Sequence, residues 1–120
     1  MSSDAKRMSN RRYYERNAEK RKEYFRQHWR RLKKEVLQHY GDQIACAACG
    51  ESDLEKLQLD HVNNDGGEHR RLLISRKEIY KGYEGVGFYR YLKRNNYPTH
   101  PQLQILCKSC NIAKENRRRN

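Results

Sequence analysis

The stretch LQILCKSCNIAK, Leu103–Lys114, holds three elements in succession. LQILC, 103–107, alternates apolar and polar side chains at its start and reads as a short strand. Cys107-x-x-Cys110 then forms a knuckle, and from Asn111 the pattern is helical as far as the basic run Arg117–Arg119. The same spacing occurs earlier, at Cys46-x-x-Cys49 within CAACG, 46–50. Two CxxC turns supply the four ligands that Zn²⁺ takes in a tetrahedron with Zn–S bonds of ~2.3 Å. Four thiolates close such a site, so the metal expected here is structural. A reducing compartment favours this reading of four cysteines over disulfides. The 57 residues between the pairs, 50–106, exceed an ordinary zinc-ribbon loop, so a whole functional segment is threaded between the ligands.

That segment opens with LQLDHVNNDGG, 57–67. Leu57, Leu59 and Val62 predict a first strand, with Asp60 and His61 near its end. NNDGG, 63–67, reads as a loop that continues neither strand nor helix. Asp60 offers a hard carboxylate oxygen of the kind that holds Mg²⁺, and His61 titrates near neutrality and can take a proton from water. Neighbours on a strand point to opposite faces, so an abrupt loop is what allows both groups to reach one phosphate. A bare Asp-His pair is a weak signal, since an aspartate orienting a surface histidine is common. Its place between two knuckles strengthens it. His69 and Arg70 read equally as a polar surface pair or as a functional one.

Elsewhere the pattern is simpler. Residues 1–10 look frayed and polar, and a helix without Gly or Pro runs from Arg11 to about Tyr40. Ala18, Phe25, Trp29, Leu32, Val36 and Tyr40 form a narrow apolar stripe along it, and Gly41 is expected to end it in a left-handed cap. Residues 72–100 read as an insertion, in which Phe88, Tyr91, Leu92 and Asn95 have helical spacing and Pro98 marks the stop. The organisation expected is a basic helical extension, 1–41, ahead of a zinc-stabilised domain, 42–120.

The 120 residues carry a net charge of +12, with 35% charged and 35% hydrophobic residues, so the core must be small and zinc would help hold it. The charge is unevenly placed. Residues 1–40 have 13 Lys/Arg against 5 Asp/Glu, residues 107–120 have 5 against 1, and residues 41–106 have 9 of each. Two basic flanks, the first interleaved with Tyr13, Tyr14, Tyr24, Phe25 and Trp29, predict nucleic acid as the partner. Arg12, Arg16, Arg26, Arg30, Arg70, Arg117, Arg118 and Arg119 are the candidate contacts. A membrane-surface helix fits poorly with Glu15, Glu19, Glu23 and Glu35. No run approaches the ~18 apolar residues of a spanning helix. A cytoplasmic location is the expectation, since neither a secretory signal nor a transit pattern opens the sequence.

With CAACG, LQLDHVNNDGG and LQILCKSCNIAK in view, the chain resembles the HNH endonucleases, the ββα-metal nucleases, especially zinc-stabilised members of phage and homing type. The resemblance covers roughly residues 44–115 and implies an α+β, treble-clef-like ββα-metal core with a four-cysteine structural zinc. It implies Asp60 as ligand of a catalytic divalent ion, Mg²⁺ or Mn²⁺, His61 as general base, and Asn111 at the last motif position as the second ligand. Lys114, one helical turn on, would face the phosphate, and His69 is a further candidate ligand. The implied activity is hydrolysis of DNA phosphodiester bonds, with nicking of double-stranded DNA to 5′-phosphate and 3′-hydroxyl ends. The chain would act as a monomer or weak homodimer, alone or in a larger phage or homing assembly, in the host cytosol if phage-encoded. One departure stands out. Where many zinc-type members have an asparagine that orients the base, this chain has Gln102, which leaves Asn63, Asn64 and Gln102 as orienting candidates. Two rival readings are a zinc-knuckle module that binds nucleic acid without chemistry, and a partner-binding protein whose N-terminal helix forms a coiled coil through Phe25, Trp29, Leu32 and Val36.

Overall fold

The computed structural model describes residues 3–82 and 84–119, and of Glu84 the backbone alone. It is an α+β chain in the order α1 (Ser3–Leu37), β1 (Leu57–His61), α2 (Gly66–Ser75), α3 (Glu84–Arg94), β2 (Leu103–Cys107) and α4 (Lys108–Arg119), with a short 3-10 turn at Leu54–Lys56. The chain divides into two compact units, Met1–Arg31 and Leu32–Asn120. The boundary falls inside α1, ten residues before the 41/42 division expected from sequence.

The first unit is helix, described from Ser3. The first ten residues, expected to fray, are helical from there because Ala5, Lys6, Arg7 and Met8 are good helix formers and no Gly or Pro interrupts them. Short-range ion pairs lace its surface, among them Arg11–Glu15 at 3.1 Å and Arg26–Glu23 at 3.0 Å. Tyr13, Tyr14, Tyr24 and Phe25 remain more than half exposed. The Arg21 guanidinium lies 4.8 Å from the Tyr14 ring centroid, a cation–π distance. Arg12, Arg16, Arg26 and Arg30 are all exposed.

The second unit holds the core. α1 enters it through Leu32, Val36 and Leu37, and the helix ends at Leu37, short of Tyr40. Tighter turns close it, with His39 N–H donating to Val36 O at 3.0 Å and Tyr40 N–H to Leu37 O at 3.0 Å. Gly41 is not in the left-handed region, so it is no helix cap. Its role is close approach, because a Cβ there would sit 2.9 Å from Cδ1 of Ile105. β1 and β2 pair antiparallel, with Leu57 opposite Cys107, Leu59 opposite Ile105 and Asp60 opposite Gln104. Leu57, Ile105, Leu106 and Cys107 are buried, and α4 packs against both strands.

NNDGG does not stay a loop. Asp65 caps α2 with its backbone, His69 N–H donating to Asp65 O at 3.0 Å, and both glycines lie in the first turn. Neither has a positive φ, so their backbone is ordinary helix. α3 buries Phe88, Tyr89 and Leu92, one helical face, and the Tyr89 hydroxyl accepts the Leu59 N–H at 3.2 Å on the outer edge of β1. Residues 72–100 thus contain the end of α2 and all of α3, and they supply Leu73, Ile79 and Leu92 to the core. No helix among the described residues is long and apolar enough to cross a membrane.

Candidate active site and metal centre

The two knuckles meet. The Sγ atoms of Cys46, Cys49, Cys107 and Cys110 all lie within 4.8 Å of one another, and no disulfide links them. A tetrahedron with Zn–S bonds of ~2.3 Å has sulfurs about 3.8 Å apart. Cys49 and Cys107 are 3.7 Å apart. The first knuckle is held to β2 by Ala47 N–H donating to Ile105 O at 2.9 Å, and the second sits where β2 runs into α4. Burial disfavours a charged Cys46, yet the backbone N–H groups of Cys107, Cys49 and Ala48 override it and bring that thiol down to about 6. Cys110 is pushed up to about 12 by hydrogen bonding with Cys107, Cys49 and Cys46. The spacing and the soft donor set fit a structural metal such as zinc.

Beside the two-stranded sheet lies a cavity of about 400 Å³. Asp60 and His61 from the end of β1, Asn111 and Arg118 from α4, and Asn64, Gly66 and Arg70 from the turn into α2 and that helix all line it. The carboxylate, imidazole and carboxamide singled out in the sequence therefore share one recess, although 50 residues separate His61 from Asn111. Phe88 closes one wall and its ring stacks on His61, centroids 5.5 Å apart.

Asp60 is held tightly. Lys114 Nζ donates to its Oδ2 at 2.6 Å, and Gln104 Nε2 donates to the same oxygen at 2.9 Å. No donor to Oδ1 occurs among the described residues. Lys114, expected to face a phosphate, turns inward instead. Its other two contacts are to the carbonyl oxygens of His61 at 2.8 Å and Val62 at 3.2 Å, so its three protons are spent. It clamps the corner where β1 ends.

His61 pairs with His69, Nε2 to Nδ1 at 3.0 Å. Burial pushes the His61 imidazole below its ordinary value, His69 and Arg70 add to this, and Asp65 and Asp60 oppose it. His69 is lowered mainly by burial as well. Asp65 has a buried Oδ1 with no hydrogen-bond partner, next to these two rings in sequence and in electrostatic reach.

The orienting candidates separate. Asn64 lines the cavity in a left-handed backbone conformation, φ 59°, whereas Asn63 is exposed and outside the lining. Gln102 lies away from the cavity. Its carbonyl accepts the Val62 N–H at 3.0 Å, and its side chain borders a recess with His39 and Tyr40. Gln104 is the glutamine that reaches Asp60, a role that follows from its cross-strand position and that spacing along the chain does not reveal. Gly66, Phe88 and Glu115 likewise escape sequence reasoning, because only the third dimension brings them to the cavity. Arg117, Arg118 and Arg119 are exposed, and Glu115 accepts from Arg118 at 3.4 Å and Arg119 at 3.3 Å. Comparison with protein-family models, curated proteins and solved structures finds no match for this chain.

Proposed function

We propose that this chain is an HNH-type, ββα-metal endonuclease that hydrolyses phosphodiester bonds in double-stranded DNA. The observation that carries the reading is the shared cavity: Asp60, His61 and Asn111, matched to the motif one by one, line a single recess between a two-stranded sheet and the helix packed on it. The four cysteines would hold the structural zinc that ties α4, and with it Asn111, to the first knuckle. Asp60 and Asn111 would hold a hard divalent ion, Mg²⁺ or Mn²⁺, through oxygen donors. When bound, that ion would supply positive charge at the oxygens of the reacting phosphate.

The protein's own side chains would do the remaining work. His61, kept neutral by burial, would accept a proton from the water that attacks phosphorus in line. Lys114 would set Asp60 in place by holding Oδ2 and both carbonyls that follow. Arg70 and Arg118 would meet the flanking phosphates, with the basic first unit adding affinity of the sequence-independent kind.

A second reading is a zinc-knuckle module that binds nucleic acid without chemistry. It is favoured by Asp60 already having a lysine and a glutamine for partners. Nicking of supercoiled plasmid with added Mg²⁺ or Mn²⁺ separates the two. The nuclease reading expects the wild type to nick, His61→Ala to be inert, and both to bind duplex equally. Equal inactivity of both with binding intact would leave the module.

A further inference from the structure

The His61–His69 contact decides which atom of His61 can act as a base. Two neutral imidazoles 3.0 Å apart share one proton between Nε2 of His61 and Nδ1 of His69. If His69 donated, His61 would carry its own proton on Nδ1 and would spend Nε2 as acceptor, with no lone pair left. If His61 donates, its Nδ1 is unprotonated and free. Only the second arrangement leaves His61 a lone pair with which to act as a base. A Cβ on Gly66 would meet His61 first at Nδ1, 3.0 Å away, then at Cγ and Cε1, so glycine is what keeps that edge of the ring clear. Gly66 and His61 both line the cavity. Phe88 stacks on His61 and meets His69 edge-on at 5.6 Å, bracing the pair.

We propose that His69 is a positioning residue: its Nδ1 accepts the His61 Nε2–H and so holds His61 in the tautomer whose basic lone pair, at Nδ1, faces the cavity across Gly66. This deepens the nuclease reading and rests on it. In the reaction the water O–H bond breaks and its proton goes to His61 Nδ1, giving an imidazolium still hydrogen-bonded to His69. The water oxygen bonds to phosphorus as the bond to the 3′ oxygen breaks. That oxygen takes a proton from solvent, and His61 returns its own to solvent. His69 thereby takes the orienting role that Gln102, facing elsewhere, does not fill.

Long-range ¹⁵N–¹H correlation spectra of the full zinc-loaded chain report the tautomer without any need for activity. His61 is expected in the Nε2–H form, and the Nδ1–H form overturns the proposal. In nicking kinetics His69→Ala is expected to lose about tenfold to a hundredfold in kcat with KM little changed, the scale for loss of an orienting partner. His69→Asn, whose Oδ1 falls near the place of Nδ1, is expected to recover most of it. Gly66→Ala is expected to lower kcat, because the added Cβ would meet Nδ1 at 3.0 Å and displace the His61 ring. Full kcat in His69→Ala, or no recovery in a normally melting His69→Asn, overturns the proposal. A wild type that does not nick removes the nuclease reading, whereas a nicking wild type with His61 in the Nδ1–H form removes this inference alone.

Discussion

The two units of this chain are built on opposite principles. In Met1–Arg31 side chains pair locally, with partners three, four or seven residues away, and aromatic rings lie in the open. In Leu32–Asn120 the contacts that matter span long stretches of chain: Cys49 to Cys107, Lys114 to Asp60, Glu35 to Lys93 and Tyr97. A unit made of local contacts tolerates substitution, because each pair contributes only a few tenths of a kcal/mol. A unit closed by a few distant contacts loses much when one of them goes.

The largest effect should come from the cysteines. Cys107→Ala, or removal of zinc by a chelator, is expected to abolish the cooperative unfolding transition of the second unit, because zinc binding and folding are one equilibrium in such domains. Metal analysis together with a circular-dichroism melt checks this, and an unchanged melt would mean that the sulfur cluster is incidental. His61→Ala is expected to melt like the wild type and to lose about 10²–10⁴-fold in nicking rate. If it melts like Cys107→Ala, the division between structural and reacting groups is wrong.

Lys114→Met comes next. It strands the Asp60 carboxylate, whose side chain is 11% exposed, and is expected to cost about 3 kcal/mol, as removal of one partner of a buried pair does. Urea denaturation reads it, and a loss below about 1 kcal/mol, the scale of an ordinary hydrogen bond, would show that Gln104 alone satisfies Asp60. The smallest change in stability belongs to the first unit. Replacing Arg12, Arg16, Arg26 and Arg30 together by Gln should shift the melt little. It should instead weaken duplex binding and flatten its salt dependence, from a log–log slope of about −7 for eight neutralised phosphates towards about −4 for four. Titrations at several salt concentrations test this, and an unaltered slope would exclude the first unit from the interface.

Several elements are legible because they are local. LQLDH and LQILC are strands by their apolar spacing, and the two CxxC spacings announce a four-sulfur cluster that could hold a metal. Others mislead for a local reason. NNDGG, 63–67, reads as a loop, yet helix begins at Gly66, whose missing Cβ makes room for His61. Gly41 reads as a cap and serves Ile105. In each case the residue type is informative and its beneficiary lies elsewhere in the chain.

Side-chain spacing and charge, both properties of neighbouring residues, suffice for the strands, the sulfur donors and the basic flanks. Folding alone decided which groups spend their hydrogen bonds on one another. Lys114 turns to Asp60, Gln104 reaches the same carboxylate from the facing strand, and His69 meets His61. The two Asp60 contacts depend on the antiparallel register of β1 with β2 and on the seating of α4 across them, and the His61–His69 contact on the start of α2 directly after β1. Register and seating are set by burial of Leu57, Ile105 and Leu106 and by closure of the knuckles. No short stretch of sequence contains both partners of the two Asp60 contacts, and the eight residues from His61 to His69 do not show that the two rings meet.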